Sequence, residues 1–165
     1  MSLDLMNNRR VILFDWGDTL MVDIPGVDGK MCDWHHVEAV PYAKELLEAV
    51  SPGAFIYIAT AAAQSTPDDI MKAFRRVGLD SYLDGYFCRQ NTGFTKPALD
   101  FYRTILEMLA IPAAQVTMVG DNLVNDILPC LQLGIKAIWL SANSGDAVPE
   151  GVIVARDLSQ LETVL

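Results

Sequence analysis

Apolar runs, each closing on a polar residue, recur along this chain. Val11–Phe14 runs into Asp15, residues 54–59 into Thr60, and Val116–Gly120 into Asp121. Shorter apolar stretches follow at 86–88, Lys136–Leu140 and 152–154. Runs of this length, apolar at successive positions and not at alternate ones, predict strands buried on both faces, as in a parallel sheet. Between them the apolar positions change to helical spacing. Ala43, Leu46, Leu47 and Val50 predict a helix opening at Pro41 and stopping at Ser51-Pro52-Gly53. Thr66-Pro67-Asp68-Asp69 is a helix start with a hydroxyl cap, proline in the first turn and two acids at the positive end; Arg75-Arg76 and Gly78 close that helix.

Further on, residues 90–95 predict a polar loop, and Lys96-Pro97 a helix carrying Phe101, Ile105, Met108 and Leu109, with Pro112 just past its end. Pro129 would break a helix interior, so the next helix is expected to begin near Asn125 or Asp126, leaving 121–125 as a loop, and to end at Gly134. A final helix is expected over 157–165. Strand and helix alternate throughout, the pattern of an α/β, doubly wound (Rossmann-like), mostly parallel sheet with helices on both faces. One domain over 1–165 is expected from the length.

Composition narrows the function classes. The chain is 52% apolar and 20% charged, as folded globular proteins are. Its net charge is −9 and its basic residues cluster only as Arg9-Arg10 and Arg75-Arg76, which argues against nucleic acid and anionic membranes as partners. The longest apolar run, 54–63, is too short to cross a bilayer, and residues 1–10 carry no apolar leader core. Cys32, Cys88 and Cys130 are widely spaced with no Cys-x-x-Cys pair, fitting reduced thiols and a cytoplasmic protein.

The chemistry lies at the strand ends. Parallel strands bring their C-terminal tips to one edge, so Asp15, Thr60 and Asp121 are expected to converge there, with Lys96 and Asp126 close by. Carboxylates with a backbone carbonyl form an oxygen shell suited to Mg²⁺, and a hydroxyl and a lysine beside that cation would hold phosphate oxygens. Such a set points to phosphoryl transfer through an aspartyl nucleophile. Asp15 and Asp121, both ending buried strands, read as functional; Thr60 or Lys96 alone could be a turn or cap residue, and Asp126, near a helix start, is as readily a cap as a ligand.

Asp15-Trp-Gly-Asp-Thr19, Thr60, Lys96-Pro97 and Gly120-Asp121-x₄-Asp126, in that order and at strand tips, resemble the four motifs of the haloacid dehalogenase (HAD) superfamily. The resemblance covers nearly the whole chain. It implies a phosphatase in which Asp15 is the nucleophile and Asp15, the Gly17 carbonyl and Asp121 hold Mg²⁺. Thr60 and Lys96 would grip the phosphoryl group, Asp126 would support Lys96 or a metal-bound water, and Thr19 would shape the loop after the first strand. The chain departs from the family at one place: Gly17 stands where the family's phosphatases have the acid that protonates the leaving group. Asp18, one position on, is the candidate replacement, with His35 and His36 as alternatives.

The intervals between motifs leave only 21–40 as a small flap, so a capless member is implied. Its site would be open to a phosphorylated small molecule, to a larger substrate, or to closure by a second subunit in a homo-oligomer. Three other readings stay open. Trp16-Gly17 is similar to phosphonoacetaldehyde hydrolase, which needs a Schiff-base lysine; Lys30 is the flap's one lysine. A module binding Mg²⁺ or phosphate without turnover would tolerate the missing acid. A phospho-accepting receiver domain shares the residue inventory, but the order of Lys96 before Asp121 and Asp126 argues against it.

Overall fold

The computed structural model describes residues 9–165 apart from 144 and 146; residues 1–8, on which the expectation of no leader largely rests, lie outside them. Six parallel strands form one sheet: β1 (Val11–Phe14), β2 (Phe55–Ala59), β3 (Gly85–Phe87), β4 (Val116–Gly120), β5 (Lys136–Leu140) and β6 (Ile153–Ala155), in the order β3-β2-β1-β4-β5-β6. The central strand β1 is buried at all four positions. Ile12 and Phe14 enter the core on one face, Val11 and Leu13 the core on the other, which is why its apolar run is unbroken.

Each face is covered by helices that present an apolar stripe. On one side α1 (Ala43–Val50) and α2 (Pro67–Arg76) bury Leu46, Leu47, Ile70 and Phe74 against Ile12, Phe14 and Ile58. After the short α3 (Arg89–Thr92), α4 (Leu99–Leu109) and α5 (Leu128–Leu133) cover the opposite face, with Phe101, Tyr102, Ile105 and Cys130 packed on Leu13 and Met118. The doubly wound α/β fold is therefore the one that the hydrophobic pattern predicted. Among the described residues no helix is long and apolar enough to cross a membrane.

Several boundaries differ from the sequence reading, each for a local reason. The first helix starts at Ala43 and not Pro41, because Tyr42 adopts a left-handed φ of 73° that no helix accommodates. The expected loop over 90–95 begins as the helical turn α3, where Asn91 Oδ1 accepts the Cys88 N–H at 2.9 Å and Gly93 ends the turn at φ 83°. Lys96 and Pro97 precede their helix and do not open it; α4 begins at Leu99.

Helical structure after β4 starts at Leu123, earlier than Pro129 was expected to allow, as a wide turn over Leu123–Ile127 that runs into α5. Pro129 has no N–H for the carbonyl four residues back, that of Asn125, and the Tyr102 hydroxyl donates to that carbonyl at 2.7 Å. At the C-terminus the expected helix is only a 3₁₀ turn, Leu158–Gln160, capped by the Asp157 carboxylate on the Ser159 N–H; Leu158 and the following Leu161 are buried.

The flap at 21–40 is tied to the domain along its length. Val22 N–H donates to Glu38 and Val40 N–H to Leu20, both at 2.9 Å, so the segment leaves and returns as a narrow ribbon. Its tip, around the 3₁₀ turn Met31–Asp33, packs on α2 through the buried Met31 and Trp34.

Candidate active site

The parallel register explains the convergence of the strand tips. Phe14 stands level with Ile58 and Val119, so one further residue brings Asp15 level with Ala59 and Gly120, with Thr60 and Asp121 a single step beyond. The sheet changes direction between β1 and β4: crossovers run one way from β1 to β2 and β3, and the other way to β4, β5 and β6. Asp15 and Asp121 lie on either side of that switch point, where diverging connections leave a crevice.

Within the crevice the side chains form a connected set. Lys96 Nζ donates to Asp15 Oδ1 at 2.9 Å and to Asp126 Oδ1 at 2.6 Å, and only 1% of the Lys96 side chain is exposed. Burial alone would favour the neutral amine. The two carboxylates outweigh it and hold the ammonium above the ordinary lysine range. Lys96 reaches this position from a turn in which the Thr92 hydroxyl donates to the Cys88 carbonyl at 2.8 Å and Ala98 N–H to Thr95 at 3.1 Å.

Thr19, fully buried, stands between the other two acids, 3.3 Å from Asp15 Oδ2 and 3.5 Å from Asp121 Oδ1. The turn that delivers it is closed by the Trp16 carbonyl, which accepts from Leu20 and Met21 N–H at 3.1 and 3.2 Å. Oxygens of Asp15, Asp121 and Asp126 lie within 4.8 Å of one another. Both oxygens of Asp126 have protein partners, Oδ1 taking Lys96 and Oδ2 the Asn122 N–H at 3.1 Å. Asp126, only 1% exposed, is the most enclosed of the three acids and is turned toward Lys96, a setting suited to supporting that amine.

Further oxygens come from the carboxylates of Asp15 and Asp121 and from the Gly17 carbonyl, which accepts no backbone N–H among the described residues. Burial, with the neighbouring Asp15 and Asp126 carboxylates adding to it, pushes the Asp121 carboxyl up to about 7. An all-oxygen set with this much crowded negative charge fits a hard divalent cation such as Mg²⁺. Trp139, on β5, donates its indole N–H to the Asp121 carbonyl at 3.1 Å and fixes the backbone of that residue.

Thr60, buried, lies across the crevice: its hydroxyl accepts the Ala62 N–H at 3.1 Å and, among the described residues, remains free to donate. It lines a cleft of about 370 Å³ walled by Trp16, Gly17, Asp23, Lys30, Met31 and Trp34. The flap therefore supplies most of one wall. A second concavity of about 290 Å³, between Arg9, Arg10, Thr117 and Lys136, lies at the opposite end of the sheet, away from the carboxylates.

Not every sequence candidate joins the cluster. Asp18 is exposed, in a left-handed conformation at φ 59°, and its Oδ1 accepts the Asp23 N–H at 3.0 Å, so its carboxylate holds the flap's root. His35 and His36 are exposed on the flap, His36 3.1 Å from Glu38. Lys30 is paired with Asp69 at 2.8 Å. The cysteines are free thiols, Cys88 and Cys130 buried. Sequence reasoning missed the Asn122 N–H, Trp139 and the role of Gly120, a Cβ on which would fall 2.5 Å from Asp126 Cγ. Only the glycine had a local signal, standing immediately before Asp121.

Comparison with known proteins places the chain in a family. Residues 23–140 match the haloacid dehalogenase-like hydrolase family, a span that includes Thr60, Lys96, Asp121 and Asp126 and begins after Asp15. The pyrimidine 5'-nucleotidase YjjG of Escherichia coli is 30% identical over 123 residues, 74% of this chain and 53% of that protein. The ribulose-1,5-bisphosphate 5-phosphatase of Halopiger xanaduensis is 32% identical over 99 residues, 60% of this chain and 41% of that one. The chain thus spans about half the length of the curated relatives it matches.

Among solved structures, an uncharacterized protein from Listeria monocytogenes superposes with a TM-score of 0.81 at 24% identity, covering 94% of this chain and 96% of that one. The HAD-hydrolase YfnB of Bacillus subtilis, solved bound to magnesium, gives 0.74 at 18% identity over 95% and 98% of the two chains. With the family match spanning most of its length, this chain belongs to the haloacid dehalogenase-like hydrolases.

Proposed function

We propose that this chain is a Mg²⁺-dependent phosphatase that acts through an aspartyl-phosphate on Asp15. The observation that carries the reading is the setting of that carboxylate: Lys96 holds Oδ1 at 2.9 Å and Thr19 touches Oδ2 at 3.3 Å, beside Asp121. A carboxylate oriented at both oxygens is prepared for in-line attack on phosphorus. Mg²⁺, held by Asp15, Asp121 and the Gly17 carbonyl, would neutralise the phosphoryl oxygens.

Lys96 and the Thr60 hydroxyl would bind the remaining phosphoryl oxygens, and Asp126 would keep Lys96 charged and in place. The substrate, small or larger, would seat its leaving group in the cleft between Thr60 and the flap. The two curated relatives described above carry names of enzymes acting on phosphate monoesters, which supports the same chemistry here. The phosphonatase alternative needs a neutral flap lysine, whereas the Asp69 partner of Lys30 raises that amine above its ordinary range, chiefly through their hydrogen bond.

The test is hydrolysis of an aryl phosphate with and without Mg²⁺ by the wild-type chain and by Asp15→Asn. The wild type should turn over only with Mg²⁺ and form a beryllofluoride adduct on Asp15; Asp15→Asn should do neither. Full activity in Asp15→Asn would refute the covalent route.

A further inference from the structure

Breaking a phosphate ester of an alcohol leaves an alkoxide, which needs a proton as it departs, and the later attack of water needs a base. The groups in the carboxylate cluster are engaged otherwise: Asp15 as proposed nucleophile, Asp121 as proposed Mg²⁺ ligand, Asp126 with both oxygens occupied, and Lys96 held between two carboxylates. Asp18 is turned onto the Asp23 N–H. One carboxylate on the leaving-group side of the site has no hydrogen-bond partner among the described residues and faces the cleft: that of Asp23.

Its position is specific. A Cβ built on Gly17 would lie 3.3 Å from Asp23 Cβ and 3.6 Å from both Cγ and Oδ2, so the Asp23 side chain occupies the space that a side chain on residue 17 would enter. The backbone keeps it there. The ribbon at the flap's root pairs Val22 with Glu38 at 2.9 Å, Asp18 N–H donates to Met21 at 2.7 Å, and the Asp18 carboxylate takes the Asp23 N–H.

We propose that Asp23, delivered from the flap over Gly17, is the proton-transfer residue of this site, with Asp18 as its positioning residue. The proposal rests on the phosphatase reading above. In the first step an Asp15 oxygen attacks phosphorus and the bond from phosphorus to the ester oxygen breaks. Its electron pair goes to that oxygen, and the Asp23 proton passes to it, releasing a neutral alcohol and leaving Asp23 as a carboxylate. In the second step water attacks the phosphorus of the aspartyl-phosphate and gives a proton to Asp23. The bond to Asp15 breaks with its electrons returning to the Asp15 carboxylate, and inorganic phosphate departs.

The test compares a series of phosphate monoesters, from p-nitrophenyl through phenyl to alkyl, on the full chain with Mg²⁺. Asp23→Asn keeps the shape and removes the proton donor, so it should lower alkyl turnover by about 10²–10⁴-fold, the usual scale of general acid–base catalysis. Formation of the phospho-enzyme from p-nitrophenyl phosphate should change far less, because that leaving group departs without help. Its breakdown should slow, so phospho-Asp15 should accumulate and be visible by mass spectrometry.

A purely structural role would lower phospho-enzyme formation from all esters together. As a second arm, Gly17→Asp combined with Asp23→Gly should recover alkyl turnover by tenfold or more over Asp23→Gly alone, since the acid is restored in the same space. Equal losses in the rate of phospho-enzyme formation across the series, or unchanged alkyl turnover in Asp23→Asn, would overturn the assignment while leaving Asp15 chemistry intact. Unchanged turnover in Asp15→Asn would overturn the phosphatase reading itself, and this proposal with it.

Discussion

Gly120 and Asp126 illustrate how closely the site is packed at the level of single residues. A methyl group on Gly120 would sit 2.5 Å from Asp126 Cγ and 2.6 Å from its Cβ, closer than side chains approach. Gly120→Ala must therefore push Asp126 off Lys96. The expected cost is about 1–3 kcal/mol, the range for overpacking, with loss of phosphatase activity; chemical denaturation and an aryl phosphate assay would check both. Asp126→Asn attacks the same pair without adding volume. It leaves a buried ammonium with Asp15 as its remaining carboxylate partner, and removing one member of a buried ion pair costs about 3–5 kcal/mol; urea unfolding should give a loss near the lower figure. A variant as stable as wild type would mean that Lys96 is neutral or solvated.

At the scale of elements, helix α2 is the support for the flap. Thr66 accepts the Asp69 N–H at 3.2 Å and Asp69 accepts the Thr66 N–H at 2.9 Å, a reciprocal cap; the same Asp69 binds Lys30. At the other end of α2, Arg76 donates to the carbonyls of Trp34 at 2.5 Å and His35 at 3.2 Å. Thr66→Ala should cost about 1 kcal/mol by thermal unfolding, the usual loss for a hydroxyl cap. Arg76→Ala should loosen the flap tip and raise KM for a bulky monoester more than it lowers kcat, because the carboxylate cluster stands apart from it.

The Lys30 hydrogen bond, first among several, lowers the Asp69 carboxyl from 3.8 to about 2. A depressed carboxylate contributes stability above its unfolded value and loses it as pH falls through the folded one. The flap anchorage should thus be intact at pH 5 and disappear between about pH 4 and pH 2; tryptophan emission from Trp34 on acid titration would follow it.

For the whole molecule, the switch point joins the two halves of the sheet through like charges. Asp121, raised from 3.8 to about 7, is favoured in its protonated form by folding, so the cation-free protein loses stability as pH rises from about 4 to 7. A cation that binds the folded state reverses that loss by mass action. Mg²⁺ should accordingly raise the melting temperature more at pH 8 than at pH 5, and Asp121→Asn should flatten the difference. Equal shifts at both pH values would mean that Asp121 does not meet the cation.

The buried strands and the order of their polar ends were legible in the sequence because a strand covered on both faces needs an unbroken apolar run, and a parallel sheet sends every tip to one edge. The alternation of elements therefore settled the fold class. The strand ends placed Asp15, Thr60 and Asp121 together without any knowledge of contacts. The helix after β4 was misjudged because its decisive hydrogen bond comes from Tyr102, which packs against it only in three dimensions. The same limit hid the engagement of Asp18 with Asp23 and the position of Asp23 over Gly17. Periodicity reports which residues are buried; where a hydrogen-bonded ribbon lays an acid is decided by chain reversal and side-chain volume, and these exist only in the folded state.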